Sequence, residues 1–264
     1  MIYKVFKSLF SPIDKIKDTY KIFRYIIHLR KIKPKYLFFS ENKNYQKFSY
    51  LLIETLAKKY PKEVYYVSLD ADDKIKNSNV KNIFIGKGLI MSIFFLIIRA
   101  QNFFLTLTDL DNHFVKKNKN VDKYIYYFHG AVSTTKIYTA TAFDNYDVIL
   151  CNGDYHINEI RKRESIKKIK KKKLIKTGYF YFDYLKQRMN TQIVANEVLI
   201  APSWNYNQGN FINENFEEII QSVLDKGFNV RFRPHPEIFK RSPMIIDNIK
   251  KKFSNKNFVL DENS

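Results

Sequence analysis

Only one cysteine, Cys151, occurs in 264 residues, which rules out an internal disulfide and any CxxC or Cys/His cluster spaced for structural zinc. Cys151 itself reads as a small buried residue at a strand end. Long apolar runs are missing too. The longest, Leu89 to Ile98, is ten residues, too short to cross a bilayer and suited to a buried helix. The N-terminus has no secretory pattern, because Lys4, Lys7, Asp14, Lys15 and Lys17 interrupt it and no small-residue cleavage site follows. These absences predict a cytoplasmic protein. There is no helix-turn-helix, zinc finger, RRM or cold-shock signature to direct a basic chain to nucleic acid. No carboxylate cluster has metal-ligand spacing, and the loose Asp-x-Asp of Asp109 and Asp111 reads as a loop. Neither a metal nor a cofactor is expected.

What is abundant is positive charge and apolar bulk. The formal net charge is +20, from 46 Lys plus Arg against 26 Asp plus Glu. Such a surface attracts polyanions or an anionic membrane leaflet, although a composition rich in Lys, Asn, Ile, Phe and Tyr also follows from AT-rich coding. At 45% hydrophobic and 16% aromatic, the chain is far from the signature of disorder. The densest basic run, Lys167 to Lys173, reads as a solvated helix end or loop. Residues 1–33 mix Ile2, Val5, Phe6, Leu9, Phe10 and Ile13 with lysines and arginines. This basic amphipathic segment fits either a membrane surface or a place on the domain.

The rest alternates strand and helix patterns. Tyr36–Ser40, Val64–Ser68, Asn82–Ile85, Phe103–Thr106, Lys123–Phe128 and Val148–Cys151 read as buried strands, and residues 44–60 and 89–100 carry helical spacing. This pattern predicts an α/β fold with a doubly wound parallel sheet over residues 34–185. After a polar interval a second αβ unit spans 197–264, with strands at Glu197–Ala201, Asn229–Phe232 and Asn257–Leu260 and helices at 211–226 and 244–253. Three strands make an incomplete two-sided layer.

The candidate chemistry lies where strands stop, since open α/β sheets bind ligands beyond the carboxyl ends of their strands. In Tyr126-Tyr127-Phe128-His129-Gly130 the histidine follows a buried run. His129 reads either as a satisfied structural histidine or as a functional one. Gly130 allows close backbone approach, and the following Ser133 and Thr134 offer hydroxyls beside a phosphate. In Arg231-Phe232-Arg233-Pro234-His235-Pro236 two prolines fix the backbone around one imidazole, and Arg231 and Arg233 are able to neutralise phosphate oxygens. Ala201-Pro202-Ser203-Trp204 ends the first strand of the second unit, with Ser203 and Trp204 either lining a site or packing.

Taken together, Phe128-His129-Gly130, Thr177-Gly178-Tyr179-Phe180-Tyr181-Phe182-Asp183, Leu199-Ile200-Ala201-Pro202-Ser203-Trp204 and Arg233-Pro234-His235-Pro236 resemble the CDP-glycerol glycerophosphotransferase family. These are the polymerases and primases of teichoic acid and related capsule synthesis. Order and approximate spacing agree from about residue 120 to 236. Phe180-Tyr181-Phe182 replaces the family's usual Pro-Arg-Asn, and the chain is expected to stop short of the family's Asp-rich nucleotide-binding strand, as a member truncated within its donor domain.

The resemblance implies a glycosyltransferase-B-like architecture of two Rossmann-like domains. The implied donor is CDP-glycerol and the leaving group CMP. The acceptor would be a polyol-phosphate or glycan hydroxyl, lipid-linked, at the inner face of the cell membrane. By the same resemblance His129 is the general base, Arg233 and His235 contact the pyrophosphate, and Gly178, Ser203 and Trp204 line the site. A sugar transferase using a nucleotide sugar is the alternative. A basic protein binding nucleic acid or membrane without catalysis is the reading from another class.

Overall fold

The computed structural model describes residues 12–111, 115–189, 196–203, 215–254 and 257–262, with side chains from Ile22 onward. The chain divides into two compact units, Met1–Met189 and Asn190–Ser264.

In the first unit, helix α1 (Pro12–Ile32) leads into β1 (Tyr36–Ser40), α2 (Lys43–Lys59), β2 (Val64–Ser68), β3 (Val80–Phe84), α3 (Leu89–Ile97), β4 (Ala100–Leu105) and β5 (Val121–Tyr127). The short α4 (Thr134–Ile137), β6 (Val148–Cys151), α5 (Asp154–Lys167), β7 (Lys173–Lys176) and α6 (Phe180–Lys186) complete it. The seven strands form one parallel sheet in the order β3-β2-β1-β4-β5-β6-β7. The chain builds outward from β1 to β3, returns to the centre at β4 and then builds the other way. The topological switch point therefore lies between β1 and β4.

Strand periodicity sorts side chains to two faces. Leu37, Phe39, Val67, Phe103, Leu105, Tyr124, Tyr126 and Ile149 pack in one apolar cluster, where Ile26 and Leu29 of α1, Phe94 and Phe95 of α3 and Ile160 of α5 cover them. Their neighbours Phe38, Tyr66, Phe104, Ile125, Tyr127 and Val148 face the other way, under Ile53 and Ala57 of α2 and Phe180 of α6. Both faces of a parallel sheet must be covered, which is why these strands read as continuous apolar runs. Phe38, fully buried, stacks on Phe104 with ring centroids 4.4 Å apart and meets Tyr127 edge-on. Truncating it to alanine is expected to cost about 3–5 kcal/mol in a denaturant titration.

The described part of the basic N-terminal segment packs on the domain through Ile26 and Leu29, leaving Phe23 and Tyr25 exposed; residues 1–11 lie outside the described residues. The lysine run is a helix end followed by an edge strand, with one exception. Lys172 is buried beside Glu164, whose carboxylate accepts its backbone amide at 2.8 Å, and burial pulls the Lys172 ammonium down.

In the second unit β8 (Glu197–Ile200), α7 (Phe216–Asp225), β9 (Asn229–Phe232), α8 (Pro236–Arg241), α9 (Pro243–Lys252) and β10 (Phe258–Leu260) form a parallel sheet ordered β10-β9-β8. Ile220, Leu224, Val230, Phe232, Ile246 and Phe258 make its core. On the opposite sheet face Leu199 and Val259, both in register with Arg231, stay exposed.

Candidate active site

His129 stands just beyond β5, at the carboxyl edge of the first sheet and one strand from the switch point. Rings gather around it. Tyr45 approaches at 5.3 Å between centroids, Phe48 at 6.0 Å and Tyr138 at 6.4 Å, and Tyr179 stacks on Phe48. All of these side chains are half-buried. His129 Nδ1 is buried with no hydrogen-bond partner among the described residues. Burial depresses the imidazole pKa below its ordinary value of 6.5, with no charge among the described residues contributing. The ring is thus neutral at neutral pH, the state a general base requires.

The loop after His129 is fastened to α5 and the turn before it. Asn152 Nδ2 donates to Gly130 O at 3.0 Å. The His156 ring, fully buried and stacked on Phe128 at 3.8 Å, accepts from Asn152 N through Nδ1, so its proton sits on Nε2 and is donated to Val132 O at 2.8 Å. Burial lowers this imidazole's pKa as well, which agrees with a neutral ring. Glu159 accepts from Ser133 Oγ at 2.7 Å, from Thr134 N at 2.6 Å and from Thr134 Oγ1. Burial raises the Glu159 carboxyl, but these donors outweigh it and hold the group below its usual value. The hydroxyls of Ser133 and Thr134, read from sequence as phosphate donors, are turned onto a carboxylate.

Gly130 has no steric need to be glycine: a Cβ there would meet Val132 at an ordinary 3.6 Å. Gly178 does, with φ +77 in the left-handed region. It lets the chain turn from β7 into α6, so that Tyr179 at the helix cap and Tyr181 within the helix face Phe48. Asp109 accepts from the hydroxyls of Thr139 and Thr141, and Asp111 from Lys117 N, so both fasten a loop. Cys151 is fully buried, and burial pushes its thiol up to about 11.

A cavity of about 410 Å³ lies between α4 and α5. Its carboxylates are already paired, Asp144 with Arg163 at 2.7 Å, Glu164 with Arg161 and Lys172, and Glu159 with Ser133 and Thr134. The unpaired chemistry is at His129, not there.

In the second unit the ladder between β8 and β9 continues past the strand ends, with Arg233 N donating to Ile200 O at 2.9 Å and His235 N to Pro202 O at 3.2 Å. This brings exposed Ser203 alongside His235. His235 caps α8, its Nδ1 accepting from Glu237 N at 3.2 Å, so a neutral ring carries its proton on Nε2. Arg231 is engaged by Glu197 on the neighbouring strand, and Arg233 donates to Asp261 Oδ2 at 3.0 and 2.6 Å. Both guanidinium groups, expected from sequence to face phosphate, hold carboxylates of their own unit. Trp204 lies outside the described residues.

No protein-family model matches this sequence, and no curated protein does. Among solved structures the chain is similar to the wall teichoic acid polymerase TagF, in a histidine-to-asparagine variant soaked with CDPG. The likeness covers 95% of this chain and 70% of that one, at 12% identity and a TM-score of 0.50. The fold is glycosyltransferase-B-like. At this identity the likeness concerns architecture, and it is to a teichoic acid polymerase, the class of enzyme whose motifs the sequence resembles.

Sequence reasoning missed Glu41, Tyr45, His156 and Glu159. Glu41 follows β1 directly, a placement beyond a strand end that could have marked it.

Proposed function

We propose that this protein transfers glycerol phosphate from CDP-glycerol to a hydroxyl of a cell-surface polymer or its lipid-linked precursor, releasing CMP. The observation that carries this reading is His129: a neutral imidazole beyond β5, beside the switch point, with a buried nitrogen that no described group satisfies. The acceptor hydroxyl gives its proton to His129 as its oxygen attacks the glycerol-bearing phosphorus. The bond from that phosphorus to the bridging oxygen breaks, and CMP departs with the electron pair. His235 and Arg233 would meet the charge on the leaving phosphate; Arg231, held by both Glu197 and Asp261 where Arg233 is held by Asp261, is the weaker candidate for that task. The donor is in keeping with the CDPG soaked into the structural neighbour.

The proposed place of work is the inner face of the cell membrane. A net charge of +20 favours an anionic leaflet, and no described helix is long and apolar enough to cross one.

His235 offers a test that separates its two jobs. Asparagine is a good helix cap, so His235→Asn should keep α8 and the melting temperature yet weaken CDP-glycerol binding roughly tenfold by calorimetry, about 1.4 kcal/mol. Unchanged affinity for CDP-glycerol in this variant removes His235 from the donor site. A nucleotide sugar bound in preference to CDP-glycerol by the wild type replaces the proposed donor.

A further inference from the structure

Glu41 is the residue next to β1, and His129 lies just past β5. Only β4 separates those strands, so the two backbones run about 10 Å apart at the sheet's carboxyl edge. Tyr45 links the two groups: its ring meets His129 at 5.3 Å, and after burial the Glu41 charge is what most raises its phenol pKa. The phenols of Tyr138 and Tyr179 lie close enough to each other, and Tyr138 to Tyr45, for each to perturb the next.

Two features of this cluster are unusual for a protein so basic. The Glu41 carboxylate and the Tyr45 hydroxyl make no hydrogen bond or ion pair among the described residues, and burial is the sole influence on the Glu41 carboxyl, which it raises. The same holds for His129, where burial is again the sole cause of the shift. Among the described residues no cation acts on either group. Lys43, two residues from Glu41, is exposed, and Lys47 spends its ammonium over the rings of Phe48 and Tyr181, at 5.4 and 5.3 Å. A phosphate-bearing chain is recognised by arginine, lysine or free amides. Here the Ser133 and Thr134 donors are bound to a second carboxylate, Glu159. Half-exposed aromatic faces beside an unpaired carboxylate suit a neutral ligand with an apolar face and a hydroxyl rim.

We propose that the cluster around His129 binds one sugar ring of a neutral glycan acceptor, its apolar face against Tyr45 and Tyr138 and a ring hydroxyl donating to Glu41, and that it rejects a polyol phosphate chain. This deepens the transfer reading by choosing between its two acceptor classes. It presents another hydroxyl of the same ring to His129. Charge enforces the choice, since an anionic acceptor placed beside Glu41 is repelled.

Ligand-observed saturation-transfer NMR on the full chain, without donor, tests this with three probes: methyl β-glucopyranoside, methyl N-acetyl-β-glucosaminide and glycerol 3-phosphate. Expected is saturation of ring C–H protons of at least one glycoside and none of glycerol 3-phosphate. Glu41→Gln, nearly isosteric, should weaken the glycoside about tenfold, and Tyr45→Leu should remove its signal. Saturation of glycerol 3-phosphate alone, no saturation of either glycoside, or a glycoside signal unchanged in Glu41→Gln overturns the proposal. Because CDP-glycerol is absent from this measurement, its failure leaves the donor assignment standing. Conversely, absence of CDP-glycerol binding beside an intact glycoside signal overturns the transfer reading alone.

Discussion

Replacing His129 by alanine is expected to lower the rate of glycerol phosphate transfer by about 10²–10⁴-fold, the usual contribution of a positioned general base, while the affinity for CDP-glycerol stays within twofold. The affinity is spared because the ring belongs to the first unit, among Tyr45, Phe48 and Tyr138, whereas the proposed donor contacts are in the second. The pH profile carries an independent signature. His129 has a folded pKa below 6.5 through burial, and only its neutral form accepts a proton. The rate should be level near neutrality and fall as the pH drops through that depressed value, so the acid limb of kcat/KM has its midpoint below 6.5. Loss of that limb's ionisation in His129→Ala, with the residual rate flat across it, ties the limb to this residue. Transfer by His129→Ala at the wild-type rate, or an acid limb unmoved by the substitution, rejects the role.

The sheet was legible where burial on both faces forced unbroken apolar runs. Tyr36–Ser40, Val64–Ser68, Val148–Cys151 and Asn229–Phe232 occupy the expected residues, because each is short, β-branched or aromatic, and bounded by polar residues. β7 was not legible. Lys173-Leu174-Ile175-Lys176 lies at the sheet's end, beside β6 alone, and an edge strand tolerates and even favours lysine. Its charge merges with the run before it, so the sequence shows a basic loop where the fold has a strand. α6 was hidden for the opposite reason. Phe180-Tyr181-Phe182 has strand-like composition, yet helical spacing places Phe180 in the apolar cluster under the sheet and Tyr181 and Tyr184 against Phe48 and Tyr50 of α2.

His129 could be found from its position after β5, but its surroundings could not. Glu41 and Tyr45 are more than eighty residues away in sequence and reach it only because β4 is inserted between β1 and β5. The arginines of β9 show the converse. Their alternation announced an anion site, while their partners Glu197, in β8, and Asp261, just past β10, are placed by a strand register the sequence does not display.

The turn that carries Glu41 and Tyr45 is itself held by one buried carboxylate, and its loss should be the most costly polar substitution in the first unit. Asp73 is 2% exposed. Its oxygens accept from Ser40 Oγ at 2.7 Å, Ser68 Oγ at 2.8 Å, Tyr66 OH at 3.0 Å and Gln46 Nε2 at 3.1 Å. These donors come from the ends of β1 and β2 and the first turn of α2, so the carboxylate ties together both sides of the β1–α2 turn. Removing it in Asp73→Ala leaves several buried donors without an acceptor, and bonds to a charged group are worth about 1.5–3 kcal/mol each. Because the freed hydroxyls recover part of that by rotating, the expected loss is about 3–5 kcal/mol in a urea titration, a large share of the roughly 5–15 kcal/mol that holds a domain folded. Asp73→Asn keeps the shape but presents an amide donor to hydroxyls that need an acceptor, and should lose about half as much. The functional corollary distinguishes this hub from a purely structural one. At temperatures where Asp73→Asn remains folded, loosening of Ser40 and Gln46 should weaken glycoside binding at Glu41 and Tyr45 in the saturation-transfer measurement and leave CDP-glycerol affinity unchanged. Equal stability of Asp73→Ala and wild type in the titration removes the hub.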